Sequence, residues 1–146
     1  MLLSKCIHPE ILGALGRMGH GSRILIADGC YPFITGSPQT ADKVWLNLAP
    51  GQLLVTDVLK ALAATIPIED ARVMVPEDES DQPIFGEFRQ LVPDGMELTK
   101  IQRFDFYDMA REPDTALMIA TGDTRNWANL LLTMGFVKHP EGKGNY

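Results

Sequence analysis

The sequence predicts an α/β fold, a single three-layer domain with a central, mostly parallel sheet and helices on both faces. The chain has 146 residues, which suits one domain, so we expect residues 1–146 to form a single unit. Hydrophobic residues make up 45% of the chain and charged residues 22%, as in ordinary globular proteins. Short apolar runs alternate with segments of helical periodicity, and this alternation is typical of layered α/β domains.

The beginning of the chain predicts a helix followed by two strands. Residues 8–19 repeat apolar side chains at helical spacing after Pro9, which suits a first turn, and Gly19 is a suitable stop. Residues 23–28 and 43–50 are short runs of β-type composition. Between these two strands, residues 31–42 contain two prolines and a glycine, so we expect them to form a loop.

The middle of the chain continues the alternation of helices and strands. Residues 56–67 predict a helix for which Thr56 is a candidate cap and Pro67 marks the end. Residues 71–76 predict a strand, and an acidic loop comes after it. The next predicted elements are, in order, a helix over 84–93, a strand over 97–104 and a helix over 106–112.

The last two predicted elements are a buried strand and a helix. Residues 115–122 form an apolar run bounded by a proline and a glycine, as in a strand that is covered on both faces. Residues 124–135 predict a final helix that ends at a glycine. Ligands of α/β sheets gather at the loops beyond the strand ends, which gives Asp28 and residues 122–129 the same expected location.

Charge and cysteine usage exclude several classes of function. A net charge of -6 argues against nucleic acid or an anionic membrane as the main partner. Cys6 and Cys30 lie far apart in the sequence, so we expect neither a disulfide framework nor a cysteine metal site. No apolar run approaches the length of about 18 residues that spans a bilayer. We therefore expect a cytoplasmic protein without a bound metal.

His20 is a candidate for proton transfer because it lies between two glycines. Glycines leave the backbone free to adopt positive φ and leave space for a ligand beside the imidazole. Imidazole changes its charge near neutral pH and can both give and take a proton. The alternative is a loop histidine after a helix end, held by a backbone carbonyl.

Three polar or aromatic residues near predicted strand ends are candidates for ligand binding. Asp28 ends an apolar run, where its carboxylate can bind hydroxyls or orient an imidazole, although the pair Asp-Gly also favours a turn. Trp127 and Asn129 fall in the first turn of the predicted last helix, whose free N–H groups can hold an anion or a hydroxyl-rich ligand. The alternatives are packing for Trp127 and an exposed helix position for Asn129.

Arg103 is a further candidate because it interrupts a run of polar and aromatic residues. Its guanidinium can act as a fixed donor toward ligand oxygen atoms. The alternative is a salt bridge to Asp105 or Asp108.

Three segments together resemble the RbsD/FucU family of D-ribose pyranases and L-fucose mutarotases. They are GALGRMGHGSRILIADGCYP, QRFDFYDMA and ATGDTRNWANLLLTMGFV. The likeness extends from Ile7 to about Val137, and the arginine in QRFDFY favours the fucose mutarotase branch. Where the family usually has a tyrosine, this chain has Trp127, which keeps an apolar face and one N–H donor but lacks the phenol.

The resemblance implies an RbsD-like fold and a cofactor-free isomerase that interconverts the anomers of a free sugar such as L-fucose. It implies ring-like homo-oligomers, often decamers, with active sites near subunit interfaces. It assigns His20 as the catalytic residue. The residues that it assigns to sugar binding are Asp28, Arg103, Trp127 and Asn129.

Two other hypotheses remain beside the mutarotase. The first is a sugar-binding accessory protein of a transport or catabolic pathway, which the change at Trp127 favours. The second is a structural subunit whose polar loops serve assembly. The mutarotase requires His20 and Asn129 to line a common cavity, within one subunit or between neighbours.

Overall fold

The computed structural model describes residues 1–138, which form six strands and four helices. The helices are α1 (Pro9–Leu15), α2 (Val55–Ala63), α3 (Pro83–Leu91) and α4 (Arg103–Ala110). The strands are β1 (Arg23–Ala27), β2 (Asp42–Trp45), β3 (Ile68–Val75), β4 (Leu98–Gln102), β5 (Thr115–Ala120) and β6 (Leu130–Met134). None of the helices in this described part is long and apolar enough to cross a membrane.

All six strands belong to one sheet with the order β2-β5-β1-β6-β3-β4. The pairs β2–β5, β1–β5 and β3–β4 are parallel, whereas β6 is antiparallel to both of its neighbours, β1 and β3. The predicted mostly parallel central sheet is therefore confirmed.

Helices cover both faces of the sheet because alternate residues of each strand point to opposite sides. On one face, Ile24 and Ile26 of β1 pack in the larger apolar cluster, to which α1, α2 and α3 contribute. On the other face, Leu25 belongs to a second cluster that includes Phe106 and Ala110 of α4. The predicted three-layer arrangement is confirmed.

The predicted helix over 124–135 is wrong, because the second half of this segment is strand β6. The run of leucines and the alanine favour a helix locally. In the fold, β6 is buried at every position and lies between β1 and β3, so packing and backbone pairing on both sides outweigh local propensity. The predicted helix N-terminus near residue 124 therefore does not exist.

Some helix boundaries also differ from the predictions. The helix predicted over 8–19 ends at Leu15, and α2 begins one residue before Thr56, so Thr56 is not its cap. At the start of α2, the carboxylate of Asp57 instead accepts a hydrogen bond from the backbone N–H of Leu54 at 2.9 Å.

The reversed direction of β6 determines which residues meet at one edge of the sheet. Leu130 pairs with Ile26 of β1 and with Val73 of β3, so β6 begins where its two neighbours end. Asn129, immediately before β6, therefore lies beside Asp28, immediately after β1. We call this side of the sheet the carboxyl edge, since β1 to β5 all end there.

A close backbone contact fixes the loop after β5 at this edge. The N–H of Gly51 donates to the carbonyl oxygen of Gly122 at 2.6 Å. A Cβ atom at position 122 would overlap the carbonyl oxygens of Ala49 and Gln52. Residue 122 must therefore be glycine for the segment around Ala49 to close against β5.

Candidate functional site

A cavity of about 400 Å³ opens at the carboxyl edge. Its wall includes all four side chains that the sequence analysis assigns to ligand binding, namely Asp28, Arg103, Trp127 and Asn129. We call this space the edge cavity. Its volume lies within the range of about 300–1,000 Å³ that is usual for small-molecule sites.

Asp28 and Asn129 form a reciprocal hydrogen-bonded pair in the wall of the edge cavity. The side-chain amide of Asn129 donates to Asp28 Oδ2 at 2.9 Å, and its oxygen accepts from the backbone N–H of Asp28 at 2.8 Å. The backbone N–H of residue 28 can only donate, so it determines which end of the amide faces it. The backbone N–H of Cys30 donates to Asp28 Oδ1 at 2.9 Å and also holds the carboxylate in this orientation.

Burial raises the pKa of Asp28, whose residue is only 6% exposed. The hydrogen bonds from Cys30 and Asn129 act in the opposite direction, since they stabilise the ionised form. The nearby carboxylate of Asp123 adds a further increase to the pKa of Asp28. The net result is a carboxyl group that holds its proton more tightly in the folded protein than in the unfolded chain.

This shift predicts an unusual pH dependence of stability. A raised folded-state pKa contributes stability below the unfolded value of about 3.9, and this contribution is lost as the pH rises through the folded-state pKa. We therefore expect the unfolding free energy of the parent protein minus that of Asp28→Asn to fall as the pH rises from below about 3.9 through the raised folded-state pKa of Asp28. Urea unfolding of both proteins measures this difference in unfolding free energy. A difference that grows with pH would contradict the raised pKa of Asp28.

Arg103 is the first residue of α4 and lines the edge cavity. Its guanidinium lies 5.7 Å from the ring centroids of both Phe104 and Tyr107, within the range of cation–π contacts. Among residues 1–138, Arg103 forms no salt bridge with Asp105 or Asp108, the partners expected under the alternative hypothesis. Its donors therefore remain available to a ligand.

Trp127 adopts a left-handed backbone conformation with φ of 63°. A bulky residue rarely takes this conformation, and such strain is most often found at functional sites. The residue lies in the turn before β6, where its half-buried side chain contacts both apolar clusters and lines the edge cavity. The prediction that it occupies the first turn of a helix is wrong, and the same holds for Asn129.

Tyr107 is a cavity residue that the sequence analysis missed. It follows Arg103 by four positions on α4, so the two side chains share one face of the helix and both line the edge cavity. That spacing in QRFDFYDMA is the signal that could have identified it. The second tyrosine of the cavity, Tyr31, is buried and donates its hydroxyl proton to the carbonyl oxygen of Gly36 at 2.8 Å.

His20 lies away from the edge cavity of its own chain. It precedes β1, whereas Asp28 follows that strand, and the five residues of β1 span about 16 Å at the usual rise of about 3.3 Å per residue. His20 Nε2 lies 2.7 Å from Glu69 Oε2, so its partner is a carboxylate, and not the backbone carbonyl of the alternative hypothesis. The imidazole also contacts the ring of Phe136, with centroids 5.1 Å apart.

The sequence analysis also missed Glu69. It is 49 positions from His20, and nothing in the local sequence pattern relates the two. Together they form an exposed acid–base pair, with side-chain exposures of 55% and 39%, at the start of β1. One chain therefore holds two separate groups of candidate residues, the His20–Glu69 pair and the edge cavity.

Potential metal ligands are not clustered in the described part of the chain. Over residues 1–138, no group of three or more histidine, cysteine, aspartate or glutamate side chains is arranged to hold a metal ion. The two cysteines are both free, Cys6 being buried and Cys30 exposed beside the edge cavity.

The fold and the edge cavity define an α/β protein with a cavity of small-molecule size, lined by polar side chains, at the carboxyl edge of its sheet. A family model with the description "RbsD / FucU transport protein family" matches residues 1–137 of this chain. The chain therefore belongs to the RbsD/FucU family.

Individual relatives agree with this membership. The fucose mutarotase of Mus musculus is 32% identical over 146 aligned positions, which cover 91% of this chain and 92% of the relative. The structure of the Streptococcus pneumoniae fucose mutarotase in complex with L-fucose is 27% identical, with a TM-score of 0.74 and coverage of 90% of this chain and 95% of the other. Because these relatives are fucose mutarotases, the chain is an enzyme of the isomerase class.

A further solved structure supports the fold alone. Bacillus subtilis RbsD complexed with D-ribose is 23% identical to this chain, with a TM-score of 0.79. The alignment covers 94% of this chain and 100% of that structure, so the likeness of fold extends over nearly the whole chain.

Proposed function

We propose that this protein is a sugar mutarotase that interconverts the α and β anomers of a free monosaccharide, with L-fucose as the first candidate. The observation that carries the proposal is the edge cavity, in which an oriented carboxylate–amide pair, Arg103 and three aromatic side chains line a space large enough for a monosaccharide. The fucose mutarotases among the relatives, and the arginine at position 103, favour L-fucose.

The edge cavity suits a neutral, hydroxyl-rich ring. Asp28 and Asn129 hold each other in fixed orientations, and the carboxylate keeps lone pairs that can accept sugar hydroxyls. Arg103 also lines the cavity and supplies N–H donors, while the indole of Trp127 offers an apolar surface to the C–H face of the sugar. The hydroxyl of Tyr107 adds a group that can give or take a proton.

The chemistry requires proton transfer at two oxygen atoms of the sugar. A base removes the proton of the anomeric hydroxyl while an acid protonates the ring oxygen, which opens the ring to the aldehyde. Closure on the other face of the aldehyde reverses both transfers and yields the other anomer. His20 is the proposed acid–base group, and Glu69 orients its imidazole through the 2.7 Å contact.

Because His20 lies at the far end of β1 from the edge cavity of its own chain, we assign it to the cavity of a neighbouring copy in a homo-oligomer. The exposure of the His20–Glu69 pair and of the adjacent apolar residues Phe136 and Val137, at 56% and 60%, supports this contact. The family resemblance, with its ring-like oligomers, agrees with the same arrangement.

Mixed oligomers test whether the site is shared between copies. His20→Ala and Asp28→Ala are each expected to be inactive alone. After joint unfolding and refolding at equal amounts, about a quarter of the sites should combine an intact imidazole with an intact cavity, and activity should return to that extent. Mixtures that stay as inactive as the separate variants, while forming the parental oligomer, would contradict the shared site.

Exchange measurements test the enzymatic proposal itself. Saturation-transfer NMR between the anomers of fucose, galactose and ribose should show faster exchange with the protein than without it, most of all for L-fucose. Well-folded protein that accelerates exchange of none of the three sugars would overturn the mutarotase. Calorimetric binding of a sugar without faster exchange would favour the accessory protein instead.

A further inference from the structure

The segment from residue 121 to residue 129 carries two walls of the edge cavity, Trp127 and Asn129, without forming a helix or strand of its own. Trp127 is held in a strained backbone conformation, and Asn129 must face Asp28 to make its two hydrogen bonds. A segment with such requirements needs an anchor that fixes it to the rest of the fold.

Arg125 is the side chain that makes this anchor. Its Nε donates to Asp123 Oδ1 at 2.9 Å and its Nη2 to Asp123 Oδ2 at 2.7 Å, which is the two-point geometry of a strong ion pair. Nη1 donates to Glu87 of α3 at 2.8 Å, and Nη2 also donates to Thr56 of α2 at 3.2 Å. One guanidinium thus links the segment to two helices.

Asp123 completes the anchor from inside the protein. Its side chain is fully buried and accepts a hydrogen bond from the N–H of Val55, at the start of α2, at 3.0 Å. Burial opposes its ionisation, but the hydrogen bonds from Arg125 and from Val55 prevail and lower the pKa of Asp123. Asp123 is therefore charged at neutral pH and needs the guanidinium, because an unpaired buried carboxylate is costly.

The donors of Arg125 are nearly all committed to this network. Of the five N–H groups of a guanidinium, the one on Nε and both on Nη2 are used, and Nη1 has one of its two engaged by Glu87. Arg125 also lines the edge cavity, yet it has little left to offer a sugar. This distinguishes it from Arg103, which has no carboxylate partner among the described residues.

We propose that Arg125 is a positioning residue of the sugar site, which holds Trp127 and Asn129 in place by clamping their segment to α2 and α3. The kinetic part of this inference rests on the proposed mutarotase function. The structural part does not, because the position of the indole can be observed without any sugar.

Tryptophan fluorescence provides that observation. The chain has two tryptophans, so Trp45→Phe leaves Trp127 as the only one. In this background and without sugar, we expect Arg125→Ala to shift the emission of Trp127 to longer wavelength and to lower its anisotropy. Arg125→Lys is expected to behave like Arg125→Ala, because a single ammonium cannot reproduce the two-point contact with Asp123.

Two further variants separate the clamp from other effects. Glu87→Ala removes one contact of Arg125 from outside the cavity and is expected to shift the Trp127 emission in the same direction by a smaller amount. It also provides the test if Arg125→Ala fails to fold. Arg89→Ala is the control, because Arg89 lies on the same helix and makes a two-point pair with Asp81, and neither residue lines the edge cavity. We expect this control to leave the emission unchanged.

Kinetics then show whether the clamp matters for the reaction. We expect Arg125→Ala to lower kcat/KM by about tenfold or more, with most of the loss in KM, because the displaced side chains bind the sugar. An unchanged Trp127 emission together with a raised KM would mean that Arg125 contacts the sugar directly, which overturns the proposal. If no sugar is turned over by any form of the protein, the emission still decides the clamp, while the mutarotase fails.

Discussion

Replacing His20 with alanine is expected to abolish measurable anomer exchange while the melting temperature hardly changes. A positioned acid–base group typically contributes about 10²–10⁴-fold to the rate, and the imidazole of His20 is the proposed acid–base group. The side chain is 55% exposed and its pair with Glu69 lies at the surface, where such a pair contributes about 0–1 kcal/mol at most. Saturation-transfer NMR and thermal unfolding measure the two effects on the same samples.

His8 offers a control with the opposite pattern. Its Nδ1 accepts a hydrogen bond from the N–H of Ile11 at the start of α1, and the residue lies outside the edge cavity. We expect His8→Ala to lower the unfolding free energy by less than about 1 kcal/mol, as for a weak helix cap, and to retain full exchange. Full exchange by His20→Ala would show that the imidazole is not the acid–base group.

Replacing Gly122 with alanine is expected to destabilise the fold by about 3 kcal/mol, the upper range for added atoms in a close-packed site. The new methyl group would overlap the backbone carbonyl oxygens of Ala49 and Gln52, which cannot move as a flexible side chain can. The hydrogen bond from Gly51 to Gly122 would be lost with them. Urea unfolding of the two proteins gives the difference in unfolding free energy.

Gly86 is the matched control for this substitution. It lies within α3 at an exposed position, and a Cβ atom there would meet nothing within 4 Å. We expect Gly86→Ala to stabilise the protein by about 0.5–1 kcal/mol, because alanine loses less backbone entropy than glycine in a helix. A Gly122→Ala protein as stable as the parent would mean that the loop around Ala49 does not close on β5 as described.

Local patterns predict most of the fold, and the exception has a clear cause. Strand β5 can be recognised in the sequence as a buried apolar run between a proline and a glycine. Helix α3 can be recognised by its helical periodicity. Strand β6 has the composition of a helix, and only its neighbours β1 and β3 make it a strand. Short apolar runs do not distinguish the two structures, because both bury the same side chains.

Some residues of the candidate site can also be predicted from local sequence patterns, whereas others cannot. Asp28 is predictable because it ends an apolar run, and Arg103 because it interrupts a run of polar and aromatic residues. The strand predicted over 97–104 is too long, however, since Arg103 is the first residue of α4. Glu69 and Arg125 are not predictable, because their roles arise from partners 49 and 38 positions away, His20 and Glu87. The sequence also does not reveal that His20 and the cavity occupy opposite ends of β1. Two glycines around a histidine do not indicate at which end of the following strand a cavity lies.

The place of β6 in the sheet affects how the protein is made. It is the last strand of the described chain but lies in the middle of the sheet, between the group β2-β5-β1 and the pair β3-β4. Before residues 130–134 join the sheet, β1 and β3 each lack the strand that lies between them in the folded protein. Unpaired strand edges can pair with strands of other chains. The folding chain is therefore most prone to aggregation before its last strand joins the sheet.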